Sequence, residues 1–201
     1  MYLDDVAPSG IVGELVTFSP KDNGYIVSST DEKLDDDIDF IALCDQTAVG
    51  WIKYDPEGGP PTKIMGLLYD NFVMPPREEL GDNDETKWLP GLDGQPDDPW
   101  KHQILLVLQR GDTAALYTFS TQSKTGRRAV GNLLRHYDRM RKTHPDELPV
   151  VRLKVGGFNH RDERIGWVLT PTFAVAGRAP KDSVATPDTS READFDDKLP
   201  Y

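Results

Sequence analysis

One long stretch of this sequence has the hydrophobic period of an amphipathic helix. Within residues 127–143, apolar side chains recur at helical spacing, at Val130, Leu133, Leu134, Tyr137 and Met140. Thr143-His144-Pro145 follows and ends the predicted helix, because proline cannot continue it. Any fold for this chain therefore has to bury one apolar helix stripe against the other elements.

Those other elements are predicted to be strands. Short apolar runs bounded by Gly, Pro and Asp occur at residues 11–18, 48–54, 63–73, 104–109, 114–120, 150–155 and 165–175. The pair joined by Arg110-Gly111-Asp112-Thr113 is typical of a hairpin. Gly156-Gly157 is predicted to break one strand, and Pro171 predicts a bulge or an edge position in the last one. A long polar loop, residues 77–100, carries Trp88 and Trp100.

The order of strands, one helix and two further strands in residues 48–176 is that of an OB-fold. This fold is a five-stranded Greek-key barrel whose helix lies between the third and fourth strands. We therefore predict a mainly β protein, an OB-fold-like Greek-key barrel with one helix and long loops. Residues 1–178 form this domain, 179–193 a flexible linker, and 194–201 a terminal tip in a disordered acidic tail.

Charge is distributed very unevenly along the chain, whose net charge is −11. Residues 1–100 hold 6 Lys and Arg against 22 Asp and Glu, a net charge of −16. Residues 101–178 hold 14 against 6, a net charge of +8. A basic block between acidic flanks is typical of a phosphate-binding surface. The alternative is that the two halves neutralise each other across one folded surface.

The sequence ends in an acidic cluster followed by Leu, Pro and an aromatic residue. This segment resembles the C-terminal tip of bacterial single-stranded DNA-binding proteins. In such a tip the terminal ring fills an apolar pocket, the carboxylate pairs with a cation, and the aspartates contact a basic rim. Lys198 and Tyr201 depart from the usual acidic residue and Phe. The residues that the resemblance assigns to partner binding are Asp194, Phe195, Asp196, Asp197, Leu199, Pro200 and Tyr201.

Binding of single-stranded DNA needs cations along the phosphates and flat side chains on which bases stack. We interpret the basic face of the helix, which includes Arg135 and Arg139, as a solvated surface. Strand cations are the better candidates, because Arg152 and Lys154 share one strand face. The predicted DNA-binding residues are Lys124, Arg127, Arg128, Arg152, Lys154, Phe158, Arg161, Arg164 and Trp167.

No catalytic motif is apparent in the sequence. The four histidines lack metal-ligand spacing, and one cysteine, Cys44, cannot build a multi-cysteine zinc site. The acidic run Asp35–Asp39 is interpreted as solvated surface rather than a nuclease metal site. We expect no enzymatic activity, no metal, no cofactor and no membrane contact. A single cysteine and the absence of a signal sequence favour the cytoplasm.

These observations predict a noncatalytic protein that coats single-stranded DNA. The resemblance implies that its tip recruits proteins of DNA replication, recombination and repair in a bacterium or phage, and that the protein forms an oligomer. The alternative is an interaction protein that uses the tip to capture or inhibit such partners without binding DNA.

Overall fold

The structure, a computed structural model, describes residues 11–91, 94–164 and 166–184. Within these ranges the chain forms ten strands and one α-helix, α1 (Lys124–Met140). The strands are β1 (Glu14–Ser19), β2 (Gly24–Val27), β3 (Glu32–Lys33), β4 (Asp39–Ala42), β5 (Ala48–Lys53), β6 (Thr62–Leu67), β7 (Trp100–Arg110), β8 (Leu116–Thr121), β9 (Glu147–Asn159) and β10 (Trp167–Pro180).

All ten strands belong to one curled sheet that forms a half-barrel. Its main path runs β10-β9-β4-β7-β8-β1-β2-β3, and β5 pairs with both β6 and β7. The predicted class, mainly β with a barrel-like sheet and one helix in the described ranges, is confirmed. The strand count exceeds the five of a minimal OB-fold. Residues 48–180 already contain six strands, β5 to β10, and the region before residue 43 supplies four more where the sequence predicts one.

The helix closes one side of the half-barrel. Ser123 caps it, since the Ser123 hydroxyl accepts a hydrogen bond from the Gly126 N–H at 3.0 Å. The predicted apolar stripe is buried in the core, with Val130 and Tyr137 fully inaccessible to solvent. This confirms the helix that the periodicity predicts, three residues earlier at each end.

The predicted hairpin is also confirmed, since β7 and β8 are antiparallel neighbours. Pro171 lies in β10, an edge strand that pairs only with β9. The prediction that Gly156-Gly157 ends a strand is wrong, because β9 continues through both glycines to Asn159. The two glycines pair with Thr170 and Leu169, whose strand runs alongside.

The two free ends of the sheet path, β3 and β10, face each other across a seam. Tyr25 of β2 joins them: its hydroxyl accepts a hydrogen bond from the Thr172 N–H at 2.9 Å and donates one to the Thr172 carbonyl at 3.1 Å. The Tyr25 ring is 1% exposed and packs against Phe119 and Phe173. Burial raises the pKa of this hydroxyl well above its usual range, so it stays protonated and able to donate.

The long loop between β6 and β7 is organised by one arginine. Arg77 donates hydrogen bonds to the Asp98 carboxylate at 2.7 Å and to the Gly81 carbonyl at 2.7 Å. Trp88 lies under the Arg77 guanidinium at 5.8 Å. Hydrogen bonds to Asp98 and its charge help raise the pKa of Arg77, and Arg77 in turn helps lower the pKa of Asp98. The contacts of Arg77 therefore give the loop a defined conformation and hold Trp88 in place.

Regular structure continues beyond residue 178, because β10 reaches Pro180 and a 3-10 turn follows at Lys181–Ser183. The rest of the predicted linker from residue 185, and the predicted tip, lie outside the described residues. In the described part of the chain, no helix has the length and apolar character needed to cross a membrane.

We predict that Tyr25→Phe lowers the free energy of unfolding by about 1–2 kcal/mol, because the ring still packs but the seam loses its hydroxyl bonds. Chemical denaturation measures the change. Tyr54→Phe is the matched control, since that exposed hydroxyl only accepts a bond from Gln122. Equal, negligible effects of the two substitutions would show that the seam does not depend on Tyr25.

Candidate nucleic-acid interface

The far halves of β9 and β10 form a two-stranded ribbon. β9 pairs with β4 only at Val150, Val151 and Arg152, whereas its pairing with β10 continues to Asn159 and Trp167. The ribbon tip includes the described residues 158–164, 166 and 167, and it is rich in exposed side chains. Four predicted DNA-binding residues, Phe158, Arg161, Arg164 and Trp167, are brought together here.

A groove lies in the seam between this ribbon and the strands β2 and β3. Its volume is about 440 Å³, which falls in the roughly 300–1,000 Å³ range of small-molecule sites. Its apolar lining includes Tyr25, Leu34, Leu153, Val155 and Leu169, and its polar lining includes Asn23, Lys33, Asp36 and Lys154. A mixed lining of this kind suits a flat heteroaromatic ring whose edge carries hydrogen-bonding groups.

Trp167 forms one wall of the groove. Its side chain is 59% exposed, which is high for an indole in a strand. It lies directly against the backbone of Gly157: a methyl group added there would be only 2.5 Å from the indole Nε1. Gly157 therefore leaves the space that the indole occupies against β9.

Phe158 is 43% exposed but lies on the opposite face of the ribbon from Trp167. Phe158 pairs with Val168 and Trp167 with Asn159, and successive strand residues point to opposite faces. The two rings therefore do not form one platform. Between them, at the tip, Arg161 is exposed and forms no ion pair with any carboxylate in the described ranges, whereas Arg164 pairs with Asp162 at 2.7 Å.

The strand cations that the sequence favours for DNA contact are neutralised by the acidic stretch before β4. Arg152 contacts Asp39 at 2.7 Å, and Lys154 contacts Asp36 and Asp37 at 3.1 and 3.2 Å. Hydrogen bonds to these carboxylates raise the pKa of both cations. At this place the structure matches the alternative interpretation of the charge pattern, in which acidic and basic segments neutralise each other.

The remaining predicted cations lie at the other end of β7. Arg127 donates hydrogen bonds to the His102 carbonyl at 3.2 Å and to the Gln122 carbonyl at 2.7 Å, so it anchors the start of α1. Arg127 and, above all, burial lower the pKa of His102. The ion pair of Arg152 and Asp39 lies instead beside Arg110. Arg110 is eight residues from His102 along β7, a distance of about 26 Å. Lys124, Arg127 and Arg128 thus do not join the ribbon in one surface.

Sequence reasoning missed the residues that form the groove opposite the ribbon. Tyr25, Asn23 and Lys33 lie in a segment where the sequence predicts no strand, so the sequence does not predict that they line a groove. The sequence predicts a strand break at Gly156-Gly157. Glycine inside a strand also marks a place where another group approaches the backbone closely, and at Gly157 that group is the Trp167 indole.

Two other sets of reactive groups lie in the described part of the chain, an acidic cluster and a cysteine. The carboxylates of Asp35, Asp36 and Asp37 lie within 4.8 Å of one another. All three are exposed, and two of them already contact Lys154. Cys44 is buried in the core, and burial raises the pKa of its thiol, which keeps it in the less reactive protonated form.

The predicted partner-binding residues, Asp194 to Tyr201, lie outside the described residues. No protein-family model, curated protein or solved structure matches the chain.

We predict that Gly157→Ala displaces the Trp167 indole, because the added methyl group occupies the space where Nε1 lies. In a two-dimensional NMR spectrum, the Trp167 indole N–H resonance should move most among those of the four tryptophans. Gly177→Ala is the matched control, since nothing lies within 4 Å of a Cβ at that position of β10. A Trp167 resonance that stays in place in Gly157→Ala would contradict the described packing.

Proposed function

We propose that this protein is a noncatalytic single-stranded DNA-binding protein that contacts bases through the β9–β10 ribbon. One observation carries the proposal: an exposed indole, Trp167, forms one wall of a groove of about 440 Å³ with a mixed apolar and polar lining, beside a ribbon tip on which Arg161 is exposed. Exposed rings beside cations are the two components that sequence-tolerant single-strand binding needs.

The opposite orientation of the two rings suggests how a strand would lie. One base stacks on Trp167 within the groove, and the backbone crosses the tip near Arg161. A further base stacks on Phe158 on the other face. Arg152 and Lys154 have a minor role in this arrangement, since their charge is already balanced by carboxylates.

The proposal also includes the terminal tip. Through residues 194–201 the protein recruits DNA replication, recombination and repair proteins in the cytoplasm of a bacterial cell, including one infected by a phage. A second candidate function is capture or inhibition of such proteins without DNA binding. The neutralised strand cations favour that candidate, because they remove part of the expected phosphate-binding face.

The first test measures the affinity for a labelled oligothymidylate by fluorescence anisotropy. Trp167→Ala and Phe158→Ala should each weaken binding by about 1–3 kcal/mol, because a stacked base loses its ring. Tyr54→Ala, which removes an exposed ring elsewhere on the protein, is the control and should bind normally. Absence of binding by the unmodified protein would exclude the proposed function and leave the second candidate.

The second test concerns the tip. Deletion of Asp194 to Tyr201 should abolish capture of a purified bacterial protein that binds the tips of single-stranded DNA-binding proteins. Tyr201→Ala, and addition of one residue after Tyr201, should each weaken capture, because the ring and its free carboxylate act together. DNA affinity should stay equal or rise slightly, since the acidic segment competes with phosphates. Undiminished capture by the truncated protein would show that the resemblance of the tip is accidental.

A further inference from the structure

The solvent face of α1 carries a row of cations without counter-charges. Lys124, Arg128, Arg135 and Arg139 fall within about 60° of the helix circumference and extend over about 22 Å. Lys142 follows in the turn after the helix. All five are exposed, and none forms an ion pair with a carboxylate of residues 11–91, 94–164 or 166–184. Arg135 does contact the Asn132 side chain, which is neutral.

Among the described residues, this row contrasts with most of the other cations. Most other cations in the described ranges are paired with carboxylates: Lys53, Arg77, Lys87, Lys101, Arg110, Arg141, Arg152, Lys154, Arg164, Arg178 and Lys181. With 34 acidic residues against 23 basic ones, carboxylates are plentiful. The α1 row thus concentrates unbalanced positive charge on one face.

The row also lies opposite the buried face of α1. The helix positions facing the core are Gly126, Ala129, Val130, Leu133, Leu134, Tyr137 and Met140. Because those side chains fix the rotation of the helix, the cations are held outward in a straight line. Asp138 is the one acidic residue in the helix, and it is occupied by Arg141 and the Tyr69 hydroxyl.

We propose that the α1 row binds the phosphate backbone of single-stranded DNA, as a second surface separate from the ribbon. The inference rests on the proposed function and extends the DNA-binding role predicted for Lys124 and Arg128 along the whole exposed face of α1. Charge complementarity identifies the occupant: an extended polyanion matches a line of unpaired cations, and an exposed helix face offers no apolar pocket for bases. The ribbon then stacks bases, whereas α1 supplies phosphate contacts.

The test compares the salt dependence of binding to a long labelled oligothymidylate. In the triple variant Arg128→Gln, Arg135→Gln, Arg139→Gln, the slope of log affinity against log salt should decrease in magnitude by about 2, since each lost contact removes about 0.7. The matched control is Lys87→Gln, Arg110→Gln, Arg178→Gln, which changes the net charge equally but removes paired cations that lie outside the proposed DNA-binding surfaces. Its slope should stay that of the unmodified protein. All substituted positions are at the surface, and circular dichroism checks the fold.

The outcomes separate this proposal from the proposed function. Trp167→Ala should lower affinity at every salt concentration with little change in slope, so it reports on the ribbon alone. Binding by the unmodified protein with no slope change in the α1 variant, or equal changes in both triples, would overturn the α1 assignment only. No binding by the unmodified protein would overturn both.

One further comparison excludes another occupant. If the slope difference between the unmodified protein and the α1 variant disappears when Asp194 to Tyr201 are deleted, the row serves the acidic tip of the same chain, and the proposal is overturned. A difference that persists in the truncated proteins supports DNA as the occupant.

Discussion

The barrel-like shape depends on how the two free ends of one sheet are held together. Strand β3 has only two residues, so it offers little backbone for pairing with β10. The buried hydroxyl of Tyr25 takes the place of a strand ladder, contacting both the N–H and the carbonyl of Thr172. The groove beside Trp167 lies along this seam, since residues of β2, β3, β9 and β10 all line it.

Electrostatic neutralisation decides which part of a mixed-charge surface is available to a polyanion. Arg152 and Lys154 contribute to the basic block in the sequence, but Asp36, Asp37 and Asp39 lie within contact distance of them. Exposed ion pairs of this kind contribute little to folding, yet they cancel the local field. The positive field of the α1 cations is not cancelled in this way, because no carboxylate of the described residues pairs with them. Net charge by residue range therefore does not reveal which cations are paired with carboxylates in the fold.

The sequence predicts most reliably the features that depend on local periodicity and turn residues within one element. The α1 stripe, the β7–β8 hairpin and the edge position of Pro171 follow from local periodicity and turn chemistry. The groove could not be predicted in this way, since Tyr25 and Trp167 are 142 positions apart and meet only through the curl of the sheet. The charge pairing of Arg152 was equally hidden, because its partner Asp39 lies on a distant segment brought alongside by β4.

An acidic protein that binds DNA has to confine its positive potential to small areas. Here unpaired cations in the described ranges include the α1 row and Arg161 at the ribbon tip, and much of the remaining surface is balanced or negative. Such a surface repels nucleic acid except where the cations are exposed, so contact requires a particular orientation. Phosphate contacts on α1 would supply salt-dependent affinity, and the rings on the ribbon would select unpaired bases. Duplex DNA offers α1 the same phosphates but no free bases for Trp167. Under the proposed function, a preference for single strands would therefore come from the indole rather than from the charge.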